Sequence, residues 1–122
     1  MADEIQVTTR LTVSNDGYKE ERAPSRLKVT QAARGGVAGV QAIGTTYEAI
    51  GIGDVTTEGY TYIRNLDDTN FVQVGVDGGA SLTPLIRLNA GEFCVFRIDA
   101  AATLFALADT ASCDIDVMIL EA

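Results

Sequence analysis

The stretch Phe71-Val72-Gln73-Val74-Gly75-Val76, closed by Asp77-Gly78-Gly79, decides the fold. Val72, Val74 and Val76 fall on alternate positions, so an extended chain puts all three on one face. The Asp-Gly-Gly that follows supplies turn chemistry, because these residues accept positive φ at little cost. The same pattern recurs on both sides. Upstream, Asp67-Asp68-Thr69-Asn70 reads as a turn and Tyr60-Thr61-Tyr62-Ile63 as an aromatic strand. Downstream, Pro84-Leu85-Ile86-Arg87-Leu88 runs into the turn Asn89-Ala90-Gly91.

Further out, Phe93-Cys94-Val95-Phe96-Arg97-Ile98 is apolar on both faces and is predicted to be a central strand of a two-layer structure. Thr103 to Ala108 is a short strand or one helical turn, and Asp109 to Ser112 turns again. Cys113, Ile115, Val117 and Ile119 alternate with Asp114, Asp116 and Met118 in a final half-buried strand. Toward the start, residues 5–13 alternate as one half-buried strand, Asn15-Asp16-Gly17 turns, and Leu27 and Val29 mark another short strand. Glycines crowd residues 35–53, which disfavours helix by about 1 kcal/mol each relative to alanine and suits bulged or closely approaching strands.

Turn signals about every ten residues point to an all-β fold, a β-sandwich or barrel of eight to ten short strands, and the recurrent alternation favours an antiparallel two-layer sandwich. The first and last strands alternate most strongly and are expected to pair. The expected core is Val7, Leu11, Val72, Val74, Phe93, Val95, Phe96, Ile98, Ile115, Val117 and Ile119. The 122 residues fit one domain spanning 1–122, with residues 1–34 a docking arm or edge.

Charge is unevenly distributed along the chain. The formal net charge is −8. Residues 1–34 hold six basic and five acidic side chains, and the other 88 hold three and twelve. An acidic body repels phosphate backbones, so nucleic acid is not an expected partner. The basic residues Arg22, Arg26 and Lys28 are the candidate docking residues, interleaved upstream with Glu20 and Glu21. The acidic remainder is expected to face solvent.

Chemistry is hard to build from this composition. There is no histidine, so neither a Ser-His-Asp nor a Cys-His centre can form. No phosphate loop or dinucleotide fingerprint is present, and two cysteines 19 positions apart make no zinc cluster. Asp67-Asp68-Thr69-Asn70 and Asp114-x-Asp116 offer oxygen donors, but neither has the spacing of a calcium loop. The first is expected to be an Asx turn and the second the solvent face of a strand. The expectation is no catalytic residue, no metal and no cofactor. Tyr60 and Tyr62 share a face, which points to core packing or an oligomer contact more than to a sugar-binding shelf. The start Met1-Ala2-Asp3-Glu4 resembles no secretory leader and no run reaches a membrane span, so a reducing cytoplasm with unbridged thiols is expected. A Cys94–Cys113 bridge is the alternative if their strands pair.

Residues 60–119 carry a resemblance. Tyr62-Ile63-Arg64-Asn65-Leu66-Asp67 with Asn70-Phe71-Val72-Gln73-Val74-Gly75, then Leu88-Asn89-Ala90-Gly91-Glu92 with Phe96-Arg97, then Leu104 to Ala111, resemble small β-rich structural proteins of tailed bacteriophages. The resemblance implies a jelly-roll-like sandwich that serves as a capsid decoration (cement) protein, binding and stabilising the phage head, with the major capsid protein or other virion subunits as partners. It implies a location in the virion after assembly in the host cytoplasm. No functional residue is carried over. A homo-oligomer, a trimer on a capsid three-fold, would cover exposed sheet edges. The alternative is a phage tail component or a receptor- or carbohydrate-binding module, and the remote alternative is a carboxylate-based hydrolase.

Overall fold

A computed structural model describes residues 3–122 and contains no helix. Its strands are β1 (Ile5–Val7), β2 (Leu11–Asn15), β3 (Tyr18–Arg22), β4 (Leu27–Val29), β5 (Gly36–Ile43), β6 (Glu48–Ala49), β7 (Glu58–Asn65), β8 (Val72–Asp77), β9 (Leu82–Leu88), β10 (Phe93–Arg97), β11 (Phe105–Ala108) and β12 (Cys113–Glu121). That is twelve strands among the described residues, where the sequence suggested eight to ten. The chain divides into two compact units, Met1–Ala32 and Ala33–Ala122. The first two residues of the expected arm lie outside the described residues.

The second unit is the sandwich. One sheet has the order β10-β7-β12-β5 and the other β6-β11-β8-β9, with every pairing antiparallel. The eight strands pair in a nested way: β5 with β12, β6 with β11, β7 with β10, and β8 with β9. Ile63, Ile115, Val117 and Ile119 of the first sheet pack with Val72, Val74, Leu88, Ala106 and Ala108 of the second in one core. Val72, Val74, Ile98, Ile115, Val117 and Ile119 are buried as expected.

Two local features show why the strands lie as they do. At Gly75 the β8–β9 register slips, and a Cβ there would lie 2.0 Å from the Thr83 carbonyl oxygen. Only glycine permits this close approach. Its partner Pro84 is tolerated because β9 is an outermost strand. Asn65 is fully buried, and its side chain binds the chain on three sides. Its Nδ2 donates to the carbonyls of Asn70 (2.8 Å) and Leu88 (3.1 Å), and its Oδ1 accepts from the Asp67 amide (2.9 Å). A buried amide is stable when its hydrogen-bonding groups find partners, as these do.

Several expectations are corrected. β10 is the outermost strand of its sheet, so Phe93 is 62% exposed and Val95 38%. Phe96 of the same strand is half-buried against the core. The first strand does not pair with the last, because β12 already has β5 and β7 on its two sides. Residues 5–13 form no single strand: β1 ends at Val7, β2 starts at Leu11, Leu11 is 74% exposed, and Val7 is half-buried.

The first unit is a long two-stranded ribbon. β2 and β3 pair from Leu11↔Arg22 to Asn15↔Tyr18, and β1 and β4 pair from Ile5↔Val29 to Val7↔Leu27. Asp16 (φ 46°) and Gly17 (φ 88°) make the two-residue turn, both left-handed as a type I′ turn requires. Between the two ladders, residues 8–10 oppose residues 23–26, one residue more on the returning strand. Pro24 falls there, where its missing N–H cannot serve a ladder.

Candidate docking surfaces

The three basic residues chosen from sequence all lie on the ribbon and are exposed. Arg22 ends β3, Arg26 sits in the irregular return segment, and Lys28 is in β4. They do not share one environment. Arg22 Nη1 lies 3.3 Å from Glu20 Oε2 and donates to the Glu21 carbonyl at 2.9 Å. Lys28 lies opposite Gln6, away from the side of Leu27 and Val29. The neighbouring pair Arg10–Glu21, at 2.6 Å, is also solvent-exposed, so such pairs contribute ~1 kcal/mol or less. The described part of this unit holds five basic and five acidic residues, against four and twelve in the sandwich.

Antiparallel partners share a face, so one side of the hairpin carries Leu11, Val13, Tyr18, Glu20 and Arg22. Leu11, Val13 and Tyr18 are 74%, 44% and 64% exposed. A two-stranded ribbon has no second layer to cover such side chains.

A second surface lies on the sandwich, and of its residues only Tyr60 and Tyr62 were singled out in the sequence as an oligomer contact or core packing. The outward positions of the sheet β10-β7-β12-β5 include Phe93, Val95 and Arg97 on β10, Tyr60, Tyr62 and Arg64 on β7, and Asp116 and Met118 on β12. Tyr62 stacks on Phe93 with ring centroids 6.1 Å apart, and the Arg97 guanidinium lies 4.7 Å from the centre of the Tyr60 ring. Met118 is 42% exposed. The tyrosines share a face as expected, but that face is turned away from the core, so the expectation that they pack in the core is corrected. The clue in the sequence was Phe93 to Ile98, apolar on both faces. Such a strand is either central or an outermost strand with an apolar outer face, and periodicity cannot separate the two.

The remaining candidates have structural explanations. Asp67 Oδ2 accepts the amides of Thr69 (3.0 Å) and Asn70 (2.6 Å), the expected Asx turn, and these bonds hold its carboxyl below the usual range. Asp114 and Asp116 lie on the outward side of β12, and among the described residues no cluster of three or more metal-ligating side chains occurs. Cys94 and Cys113 are free thiols. Cys94 pairs with Ile63, which pairs with Val117, so a whole strand separates the cysteines and they are offset by four positions. Two inter-strand spacings exceed the ~7 Å limit for a disulfide. Burial pushes both thiols up, Cys113 further through the charges of Asp67, Asp109 and Asp114.

No protein-family model matches the chain. No curated protein matches it either. Among solved structures it is similar to a chain from the work described as "Bacillus endospore appendages form a novel family of disulfide-linked pili", at 15% identity and a TM-score of 0.42. That likeness covers 74% of this chain and 88% of the other.

Proposed function

We propose that the chain is a non-enzymatic structural subunit of a virus particle, a capsid decoration (cement) protein of a tailed bacteriophage that works through its surfaces. The observation that carries this reading is the outward face of β10, β7 and β12. Phe93, Val95, Tyr62 and Met118 form an apolar, aromatic patch with charges at its margin, the make-up of a protein-docking surface. Two further features support it. The nested pairing of the eight sandwich strands fits a jelly-roll wrapping, an architecture used by viral capsid domains. The ribbon, with Arg22, Arg26 and Lys28, offers a second contact, and two weak contacts repeated over a particle act with avidity. The acidic sandwich then keeps decorated particles apart.

The test is co-sedimentation with decoration-free heads at low and moderate salt. Two variants are compared with the parent: Phe93→Glu with Val95→Glu, and Arg22→Glu with Arg26→Glu and Lys28→Glu. All substituted side chains are exposed, so both variants are expected to fold, and each is expected to lose attachment at least about ten-fold, or ~1.4 kcal/mol. Folded variants that bind like the parent at both salts would sink the reading. A second reading, a tail-borne module for a receptor or glycan, draws on the stacked pair Tyr62 and Phe93. Glycan binding lost in Tyr62→Ala, with no attachment to heads, would favour it.

A further inference from the structure

A sandwich of two open sheets ends in four outermost strands, and each is a template for another chain unless it is blunted. Three of the four are blunted. β6 has two residues, β9 carries Pro84 and Arg87, and β10 is five residues long and ends in Arg97. β5 is different. Its eight residues, Gly36-Val37-Ala38-Gly39-Val40-Gln41-Ala42-Ile43, include no charge and no proline. Five of them, Gly36, Ala38, Gly39, Val40 and Ala42, are exposed.

The hydrogen-bond phase of the β5–β12 ladder fixes which backbone groups point outward. The Glu121 amide donates to the Gly35 carbonyl at 3.0 Å, and the register runs without a break from Leu120↔Gly36 to Cys113↔Ile43. Bonded pairs alternate in an antiparallel ladder, so Val37, Gly39, Gln41 and Ile43 bond to β12. Gly36, Ala38, Val40 and Ala42 direct their N–H and C=O groups to the open side.

We propose that this edge pairs with the same edge of a second copy of this chain, antiparallel, about a two-fold axis at Gly39. Each outward residue then meets an outward residue: Ala38 faces Val40 of the second copy and Gly36 faces Ala42. This closes about eight N–H···O=C bonds. On the axis Gly39 faces its own equivalent in a non-hydrogen-bonded pair, the position where backbones come closest. In the single chain a Cβ at Gly39 would meet nothing within 4 Å, so the monomer does not itself need glycine there for space. Charge points to the same place. The sandwich carries twelve acidic and four basic residues, and β5 is an uncharged strand on which two such bodies can meet. An edge about 27 Å long and ~10 Å thick covers roughly 270 Å² per copy, well under the ~800 Å² of a stable interface. Self-association is therefore weak. A self-pairing edge closes at two copies, so a dimer is expected where the sequence suggested a trimer. The proposal does not depend on the virion reading.

The experiment is sedimentation velocity of the full chain up to about millimolar concentration, with amide exchange followed over the same range. Three variants accompany the parent: Val40→Lys, Ala38→Pro, and Leu85→Lys on β9 as a control, each first checked for a parental thermal midpoint. The parent and Leu85→Lys should dimerise alike, and exchange at Gly36, Ala38, Val40 and Ala42 should slow as concentration rises. Val40→Lys and Ala38→Pro should weaken the dimer at least ten-fold. If Ala38→Pro fails to fold, Val40→Lys and the exchange data decide. A parent that stays monomeric throughout, a dimer that survives Val40→Lys, or a dimer lost only in Leu85→Lys would overturn the proposal.

Discussion

Phe93 and Phe96 lie three positions apart on one strand and turn to opposite faces, so the same side chain has two roles. Phe96 packs against the core, while Phe93 stands 62% exposed and stacks on Tyr62. Ile63, fully buried on the neighbouring strand, shows the contrast in energy. Ile63→Ala should lower stability by about 2–5 kcal/mol, the sum of lost transfer energy and a residual cavity. Phe93→Ala should change it by less than about 1 kcal/mol, as expected for a surface position. Chemical denaturation of both variants checks this, and a large loss from Phe93→Ala would mean that the ring is buried. Composition identified both as apolar, but which of them touches the core depends on the strand's place in the sheet. Asn65 makes the same point for polar residues. Nothing in Arg64-Asn65-Leu66 marks it as the buried amide that ties β7 to the turn before β8 and to the end of β9.

At the scale of elements, the turns were the most legible part. Asp16-Gly17 turns as its chemistry demands, and Asp67 caps its own turn. The long strand β12 was legible as well, because strict alternation over Cys113–Ile119 matches its buried positions. Its far end carries an anchor that alternation could not reveal. The Glu121 carboxylate accepts the amides of Thr56 (2.9 Å) and Thr57 (2.8 Å), just before β7. These backbone bonds hold its carboxyl below the usual carboxylate range. A depressed folded pKa contributes stability at pH values above the unfolded pKa, and that contribution is lost as pH falls through the folded value. The thermal midpoint should therefore drop on acidification below about pH 4.3, with Asp67 adding to the effect. Glu121→Gln should be less stable than the parent at pH 7 and show a flatter acid limb. Parallel acid limbs for the two proteins would place the titrating group elsewhere.

On the scale of the whole molecule, two units with different kinds of stability share one chain. The sandwich has a core drawn from both of its sheets, whereas β2 and β3 of the ribbon are exposed at every position. Amides of β2 and β3 should exchange with solvent at least about a hundred-fold faster than those of β7, β8 and β12, because a lone ribbon opens locally at small cost. Equal protection would show that the ribbon is held as firmly as the core. The sequence by itself determined the all-β class, the sandwich and the buried alternating residues of β8 and β12. Period-two patterning and Gly, Asn and Asp turns are local properties that the chain carries wherever it goes. Only the tertiary structure decided that β10 is outermost, that β12 is central, and that the first strand belongs to a ribbon. Neighbour relations in a sheet are long-range pairings, and an apolar strand reads alike whether its second face meets a core or the solvent.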